Sequence, residues 1–422
     1  MSTSLQSLDT NRQWFEEALL GRFPRYVQVF TTSDRHNSGT PSTPGQFDLA
    51  RMLVAELKDL GIHDIYFDDQ CYVIARLPAS AGKEATPSLG LMAHLDTAPD
   101  SPGEHVRPQI HRDYDGSTLQ LSGDVRLDPA EYPALLEYRG DTIISTDGTT
   151  LLGGDDKAGV AEIMSAVAFL QEHPEIEHGP IEVIFTPDEE IGRGMDNFPL
   201  DQLQSKVCYT VDGGPEGTYE AECFNAFMVS LHFTGRVIHP GTARGKLANA
   251  VTMAGSFLSM LPRTESPEAT DGRYGFYCPV EVTGGMGSAR VDLILRDFEM
   301  TEVERRLEAV KRYATAVEAQ FPGSKVTVEH LDQYRNMRDI VAKTPETTQL
   351  LEEAIRATGM EPVSHAIRGG TDGARLTQMG VPTPNIFAGP HNMHGIYEWV
   401  PLRSMVRASQ TLVNLALLWG KR

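Results

Sequence analysis

The sequence has little cysteine, no long apolar run and no surplus of basic residues. Its four cysteines, at positions 71, 208, 223 and 278, lack the density and the close paired spacing of a disulfide scaffold, so we interpret them as reduced core residues. No stretch of about 18 apolar residues occurs, which argues against a membrane-spanning helix. Acidic residues outnumber basic ones by 58 to 37, and this argues against nucleic acid or an anionic membrane surface as a partner.

These absences favour an acidic protein of the cytoplasm. Residues 1–13 are polar and lack the apolar segment of a secretion signal, so we expect a cytoplasmic location. A chain of 422 residues exceeds the usual size of a single core. We therefore expect two domains, or one domain with a large insertion.

Short apolar runs alternate with helical patterns through much of the chain, and polar residues follow each run directly. The predicted strands are 72–77, 88–93, 181–186 and 207–211, and a helix is predicted from Asp155 or Asp156 to about Gln171. Alternating strands and helices are typical of an open α/β sheet, in which sites form along the carboxyl edge of the strands. We therefore expect a site at that edge.

The pattern changes between Asn225 and Leu331. The predicted order there is strand (226–234), helix (246–261), strand (274–282), strand (289–297), helix (301–320), strand (325–331). This is the β-α-β-β-α-β order of a ferredoxin-like unit. The sequence therefore predicts an inserted α+β domain of about a hundred residues, with α/β character returning after it.

The chemistry of the site rests on imidazoles and carboxylates at the predicted strand and helix ends. These candidate metal ligands are His94, Asp155, Glu190, Asp212 and His394. Five ligands are too many for one catalytic zinc ion, but they suit two ions that share a bridging carboxylate. Zinc fits this donor set, with cobalt or manganese as substitutes. Glu189 is the candidate general base, and Asp96 can orient the ring of His94.

Each of these assignments has a simpler alternative. His94-Leu95-Asp96 could be incidental, Glu189-Glu190 a solvated turn, and Asp155-Asp156 only a helix cap. Asp212 could simply end a strand, and Arg368 could belong to a plain turn. The repeated coincidence of a polar group with a strand end favours the metal site.

Seven motifs, in this order, resemble the peptidase T family, the tripeptide aminopeptidases among the carboxypeptidase-G-like dinuclear zinc exopeptidases. The motifs are His94-Leu95-Asp96-Thr97 with Pro99-Asp100, Leu152-Gly153-Gly154-Asp155-Asp156-Lys157-Ala158-Gly159-Val160, Pro187-Asp188-Glu189-Glu190-Ile191-Gly192, Val211-Asp212-Gly213-Gly214, His239-Pro240-Gly241-Thr242-Ala243, Arg296-Asp297-Phe298 and Ile367-Arg368-Gly369-Gly370-Thr371-Asp372-Gly373. The resemblance runs from about residue 20 to the end.

The resemblance implies a zinc-exopeptidase-like catalytic domain, formed by 1–222 and 334–422, with an inserted ferredoxin-like lid and dimerisation domain at 223–333. It implies two Zn²⁺ ions per chain, short peptide substrates and a homodimer. It places His94 and Asp212 on one ion and Glu190 and His394 on the other, with Asp155 bridging, Asp96 orienting and Glu189 as base. The implied substrate-facing residues are Asn225, His239, Arg296 and Arg368.

The expected function is removal of the N-terminal residue from tripeptides. The alternatives are a dipeptidase or an N-acyl amino acid deacylase with the same chemistry, and a non-catalytic peptide-binding protein on the same scaffold. The loop with His394 also carries His391, an additional histidine relative to the family pattern, and the downstream Glu398-Trp399-Val400 favours His394 as the ligand. A structural ion pair with Asp292 or Asp297 is the alternative role of Arg296.

Overall fold

The structure is a computed structural model that describes residues 5–422, and the chain divides into two compact units. The first unit contains the chain up to Ala221 together with Asp339–His365 and Thr371–Arg422. The second unit contains Glu222–Arg338 and Ala366–Gly370. The assignment of 223–333 as a lid and dimerisation domain stays a prediction.

The helices are distributed over the whole chain. They are α1 (Arg12–Val27), α2 (Gly45–Asp59), α3 (Gly154–Glu172), α4 (Ala250–Met260), α5 (Met300–Gln320), α6 (Arg338–Val341), α7 (Glu346–Ala357), α8 (Asp372–Gln378) and α9 (Leu402–Trp419). The strands are β1 (Ile65–Phe67), β2 (Val73–Leu77), β3 (Leu89–His94), β4 (Gln109–His111), β5 (Leu119–Gln120), β6 (Arg126–Leu127), β7 (Ile143–Ser145), β8 (Ile181–Thr186), β9 (Val207–Gly213), β10 (Thr218–Cys223), β11 (Asn225–Thr234), β12 (Phe276–Gly284), β13 (Ser288–Asp297), β14 (Lys325–Tyr334), β15 (Val363–Ile367), β16 (Asn385–Phe387) and β17 (Trp399–Pro401).

A large mixed sheet forms the centre of the first unit. Its strand order is β1-β2-β8-β3-β9-β16-β10-β15, and β3 runs parallel to both β8 and β9. All residues of β3 and β8 are buried, as expected for central strands covered on both faces. The predicted open α/β sheet is therefore confirmed, although the sequence patterns did not reveal the short or outer strands β1, β10 and β15.

Helix α3 packs closely against this sheet. Nearly all of its residues are buried, and its apolar side chains join those of α1 and α9 in one core. Gly159 is required at the contact, because a Cβ atom there would overlap the carbonyl oxygen of Val211 in β9. This contact brings the first turn of α3 next to the carboxyl end of β9.

The second unit has its own core and sheet. Its antiparallel strand order is β12-β13-β11-β14, and side chains of α4 and α5 pack with the strands in a separate apolar cluster. The ferredoxin-like order predicted for this segment is confirmed. Helix α4 begins at Ala250 rather than at 246, because the side chain of Asn249 accepts from the Val251 N–H at 3.0 Å and caps the helix.

Two general expectations can be compared with residues 5–422. The four cysteines are free, and three of them are buried. Within the same range, no helix is both long and apolar enough to cross a membrane. Residues 1–4, part of the N-terminal segment used for the cytoplasmic prediction, lie outside the described residues.

Candidate metal centre

The candidate centre lies at the carboxyl ends of strands in the first unit. Strand β3 ends at His94, β8 leads into the 3₁₀ turn Glu189–Ile191, β9 carries Asp212, and Asp155 lies in the first turn of α3. Since β3, β8 and β9 are parallel, their carboxyl ends meet at one edge of the sheet. The buried apolar strands thus deliver the polar residues that follow them to a common place.

Two groups of three side chains share Asp155. They are His94, Asp155 and Asp212, and Asp155, Glu190 and His394, and in each group the candidate ligand atoms lie within 4.8 Å of one another. His94 Nε2 lies 3.0 Å from Asp155 Oδ1 and 3.6 Å from Asp212 Oδ1. His394 Nε2 lies 3.2 Å from Asp155 Oδ2 and 3.1 Å from Glu190 Oε2. Asp155 therefore presents one carboxylate oxygen to each imidazole.

Asp96 connects His94 to the turn that follows β8. Its Oδ1 accepts from the Glu189 N–H at 2.9 Å, and its Oδ2 accepts from the Glu190 N–H at 3.2 Å. The Nδ1 atom of His94 lies 3.1 Å from the Asp96 carbonyl oxygen and 3.4 Å from Oδ1. These contacts leave Nε2 of His94 to face the cluster.

Asp188 stabilises the same turn from the other side. It has a left-handed backbone, with φ of 57°, which is unfavourable for a residue with a side chain. Its carboxylate accepts from the Ser42 N–H, the Ser42 hydroxyl and the Gln46 amide, and its own N–H donates to Gln46 Oε1 at 3.1 Å. These bonds hold the backbone conformation from which Glu189 and Glu190 project.

Glu398 holds the backbone that leads to Asp155. It is buried, and its Oε2 accepts from the N–H groups of Leu152 at 2.7 Å and Gly153 at 2.8 Å. Its Oε1 accepts from the Asp155 N–H at 3.1 Å. Burial raises the pKa of Glu398 to about 7, although these hydrogen bonds oppose the shift.

The titratable groups of the cluster have strongly shifted pKa values. Burial and the charge of Asp155 raise the pKa of Glu190 to about 8, and burial raises the pKa of Asp212 to about 6. The pKa of Asp155 is lowered despite its burial, because His394 and His94 hydrogen bond to it. The bonds to Asp155 and Glu190 raise the pKa of His394 to about 11. Glu190 and Asp212 therefore tend to keep their protons when no cation is bound, and divalent ions would take the place of those protons.

The donor set fits two divalent ions. Each group offers one imidazole nitrogen and carboxylate oxygens from two residues, a combination that suits zinc, cobalt or manganese. Glu190 Oε1 is buried and has no hydrogen-bond partner among the described residues. A buried acceptor without a partner is unfavourable, and a cation at this place would satisfy it. We conclude that the residues present suit a dinuclear metal site.

The predicted substrate-facing residues all belong to the second unit, and two of them have internal partners. The Asn225 amide donates to the carbonyl oxygens of Asp297 and Phe298, and its oxygen accepts from the Asn336 N–H at 2.9 Å. Arg368 donates to Thr270 Oγ1 at 2.8 Å, with its guanidinium 5.5 Å from two phenylalanine rings. A substrate-binding role for either residue stays a prediction.

His239 and Arg296 keep unused donors. His239 is exposed, and its Nδ1 accepts from the Gly241 N–H at 3.1 Å, so that Nε2 carries the proton of the neutral ring. Arg296 donates from Nη1 to the Arg368 carbonyl at 3.2 Å, while its buried Nε has no partner among the described residues. The two aspartates considered as ion-pair partners of Arg296 pair elsewhere: Asp292 with Arg290 at 2.9 Å and Asp297 with Arg306 at 2.7 Å.

His391, the second histidine of the loop, packs inside the first unit. Its ring stacks on Trp399 at 4.0 Å between centroids, and its Nε2 lies 3.4 Å from the Tyr138 hydroxyl. Burial lowers the pKa of His391 to about 4. His394 is the histidine of this loop that lies next to Asp155 and Glu190.

Several residues that shape the centre were not identified from the sequence. Glu398 and Asp188 accept hydrogen bonds from backbone N–H groups. Asp372 is buried, and its carboxylate accepts from Thr186 Oγ1, at the end of β8, at 2.6 Å. The signal that could have indicated Glu398 is an acidic residue beside the apolar Trp399 and Val400, which predicts a buried carboxylate that needs donors.

Comparison with known proteins identifies the family of this chain. The family described as "Peptidase family M20/M25/M40" matches residues 147–418. A peptidase T from Geobacillus thermodenitrificans is 45% identical over 409 residues, which cover 96% of this chain and 99% of that relative. The chain belongs to the M20/M25/M40 peptidases. A second peptidase T, from Listeria monocytogenes, is 44% identical over 96% of this chain and its own full length.

Solved structures of M20 peptidases and related enzymes have the same fold. Aminopeptidase PepT from Bacillus cereus superimposes with a TM-score of 0.73 at 22% identity, over 96% of this chain and 99% of that one. A dinuclear metal-binding M20 peptidase from Bacillus subtilis gives 0.64 at 15% identity, over 96% and 98%. The family match and the 44–45% identical relatives confirm the predicted peptidase T resemblance and the assignment as a peptidase, and the fold class is confirmed as well.

Proposed function

We propose that this M20 peptidase is a dinuclear zinc aminopeptidase that removes the N-terminal residue from tripeptides. The observation that carries the proposal is the pair of donor groups sharing Asp155. His94 and Asp212 would hold one ion, Glu190 and His394 would hold the other, and Asp155 would contribute to both. The family name of the 44–45% identical relatives supports the choice of peptide substrates.

The ligands leave Glu189 available for proton transfer. Two bound ions would supply Lewis acidity, polarising the scissile carbonyl and lowering the pKa of water towards neutrality. Glu189 then takes a proton from the attacking water and delivers it to the leaving amine nitrogen. Burial and the charge of Asp212 raise the pKa of Glu189, and a raised pKa suits a group that must both accept and release a proton near neutral pH.

Recognition of the substrate is assigned to residues of the second unit. His239 Nε2–H would donate to the carbonyl oxygen as negative charge develops there. Arg296, Arg368 or both would bind the free carboxylate of the peptide, and Asn225 completes the proposed set. Bidentate binding of the free carboxylate by a guanidinium would let the enzyme select peptides by length.

Location and assembly are further parts of the proposal. Four free cysteines are typical of a reducing compartment, which supports a cytoplasmic location. We also propose a homodimer formed through the 223–333 domain, on the basis of the family resemblance. Light scattering of the purified chain tests this, and a monomeric mass at micromolar concentration would exclude it.

One assay series tests the substrate class. Di-, tri- and tetrapeptides with the same N-terminal residue, and N-acetylated amino acids, are compared with and without a chelator, and metals are counted by elemental analysis. We expect the highest kcat/KM for tripeptides and no turnover with chelator. Faster turnover of dipeptides or acylated amino acids would favour the dipeptidase or deacylase alternative. No turnover of any substrate by a chain carrying two metals would favour a binding protein.

A further inference from the structure

The two imidazoles of the centre differ in how they are held. His94 ends a central strand, its side chain is only 2% exposed, and its Nδ1 faces a backbone carbonyl. The His394 side chain is 43% exposed and lies in a loop between β16 and β17. His394 also has a left-handed backbone, with φ of 64°. The strand fixes the first ring, but the direction of the second depends on contacts from outside its loop.

Asp100 and Ser101 supply those contacts from a different segment. His394 Nδ1 lies 3.3 Å from Asp100 Oδ2, on the side of the ring opposite the cluster. The Ser101 hydroxyl donates to the His394 carbonyl oxygen at 2.7 Å. Two consecutive residues thus hold both the ring and the backbone of one histidine. The Asp100 carboxylate also forms an ion pair with Arg35, at 3.5 Å.

We propose that Asp100 and Ser101 are positioning residues for His394 and thereby set the affinity of one metal position, the one formed by Glu190, His394 and Asp155. The Asp100 carboxylate, 3.3 Å from Nδ1, favours the tautomer with its proton on Nδ1, which leaves Nε2 free to bind a metal. Ser101 keeps the left-handed backbone that aims the ring. The other position, which contains His94 and Asp212, does not depend on this pair.

The inference rests on the proposed dinuclear site and is tested by metal binding rather than turnover. Metal-free protein is titrated with Co²⁺ alone, and the visible absorption gives the affinity for each equivalent. Partners that orient a metal-binding histidine contribute about 10- to 100-fold in affinity. We expect Asp100→Ala to lower the affinity for one of the two Co²⁺ equivalents by this factor and to change the affinity for the other by less than twofold. Asp100→Asn, whose amide oxygen still accepts, should lose less, and Ser101→Ala should weaken the same equivalent several-fold.

The control is Asp124→Asn, which removes the same charge from an exposed position between β5 and β6. It should change the affinity for neither Co²⁺ equivalent, and the midpoint of thermal unfolding of every metal-free variant should match that of the parent chain. Unchanged affinities in Asp100→Ala, or equal weakening of both equivalents, would overturn the positioning role while leaving the dinuclear site intact. Binding of fewer than two equivalents by the parent chain would overturn the proposed site and this inference together.

Discussion

In the first unit the carboxylates around Asp155 accept from imidazoles and backbone N–H groups, whereas in the second unit the buried carboxylate of Asp297 pairs with Arg306 at 2.7 Å. A buried charge needs a partner in the folded chain, and the second unit supplies it from its own arginines. Among the described residues, no arginine or lysine forms an ion pair with Asp155, Glu190 or Asp212. The difference indicates that the carboxylates around Asp155 are left for a cation, while Asp297 is already paired with Arg306.

The strongest test of this difference removes the shared carboxylate. Asp155→Ala should lose both metals and nearly all activity, because the residue contributes an oxygen to each group. Elemental analysis after dialysis should give close to zero metal equivalents, against two for the parent chain. As a control, Asp48→Ala, an exposed change in α2, should keep both metals. Two equivalents retained by Asp155→Ala would contradict the bridging role.

Removal of a proton acceptor should separate chemistry from metal binding in the first unit. Glu189→Gln keeps the size of the side chain but not its basicity, so we expect unchanged metal content and a fall in kcat of about 10²- to 10⁴-fold. The measurement is steady-state kinetics on a tripeptide, with Glu84→Gln, an exposed change, as control. Parent-like turnover in Glu189→Gln would remove Glu189 from the mechanism.

The metal groups could be predicted from the sequence because each member stands at the end of a strand or at the start of a helix. A buried strand such as β8 has a fixed direction, so the residue after it has a predictable place. The ferredoxin-like order was predictable for the same reason: α5 and its neighbouring strands have strong apolar periodicity. In these elements the local sequence pattern is enough to predict where a residue lies in the fold.

Residues that act through a distant backbone could not be predicted in this way. Glu398 binds N–H groups more than 240 positions earlier in the chain, and no local spacing encodes such a contact. Asp100 meets His394 only after both loops have folded. Asn225 was assigned to the substrate-facing set by the family resemblance, and that role stays a prediction; its amide hydrogen bonds within its own unit.

In the second unit, loss of a buried acid should affect stability instead of metal binding. Asp297→Asn leaves Arg306 buried with Glu265 as its remaining strong partner, at 3.0 Å. Breaking a buried pair costs about 3–5 kcal/mol, and we expect the lower end because Glu265 remains. Urea unfolding should report this loss at unchanged metal content.

The control is Glu302→Gln, which disrupts a half-exposed pair with Arg305 and should cost less than about 1 kcal/mol. Metal loss in Asp297→Asn would break the contrast between the units.

The effect that accumulates most gradually, one pH unit after another, concerns Glu162, a buried acid of α3 whose two carboxylate oxygens have no hydrogen-bond partner among the described residues. Burial raises its pKa well above the ordinary value, so the folded chain keeps the proton that the unfolded chain releases above about pH 4.3. Folding stability then decreases as pH rises, by up to about 1.4 kcal/mol per pH unit, until the folded-state pKa is reached.

Glu162→Gln removes this titration without changing the size of the side chain. Between pH 5 and pH 8 the free energy of unfolding should fall more steeply in the parent chain than in the variant. Below about pH 4.3 the two slopes should be equal, because the glutamate is then neutral in the unfolded chain, as the glutamine always is. Thermal unfolding of metal-free protein across this range measures the difference in slope. Glu353→Gln in α7, at an exposed position, is the control and should follow the parent. Parallel curves for the parent and Glu162→Gln would mean that Glu162 is ionised in the folded chain, and that a partner inside the first unit compensates its charge as Arg306 does for Asp297.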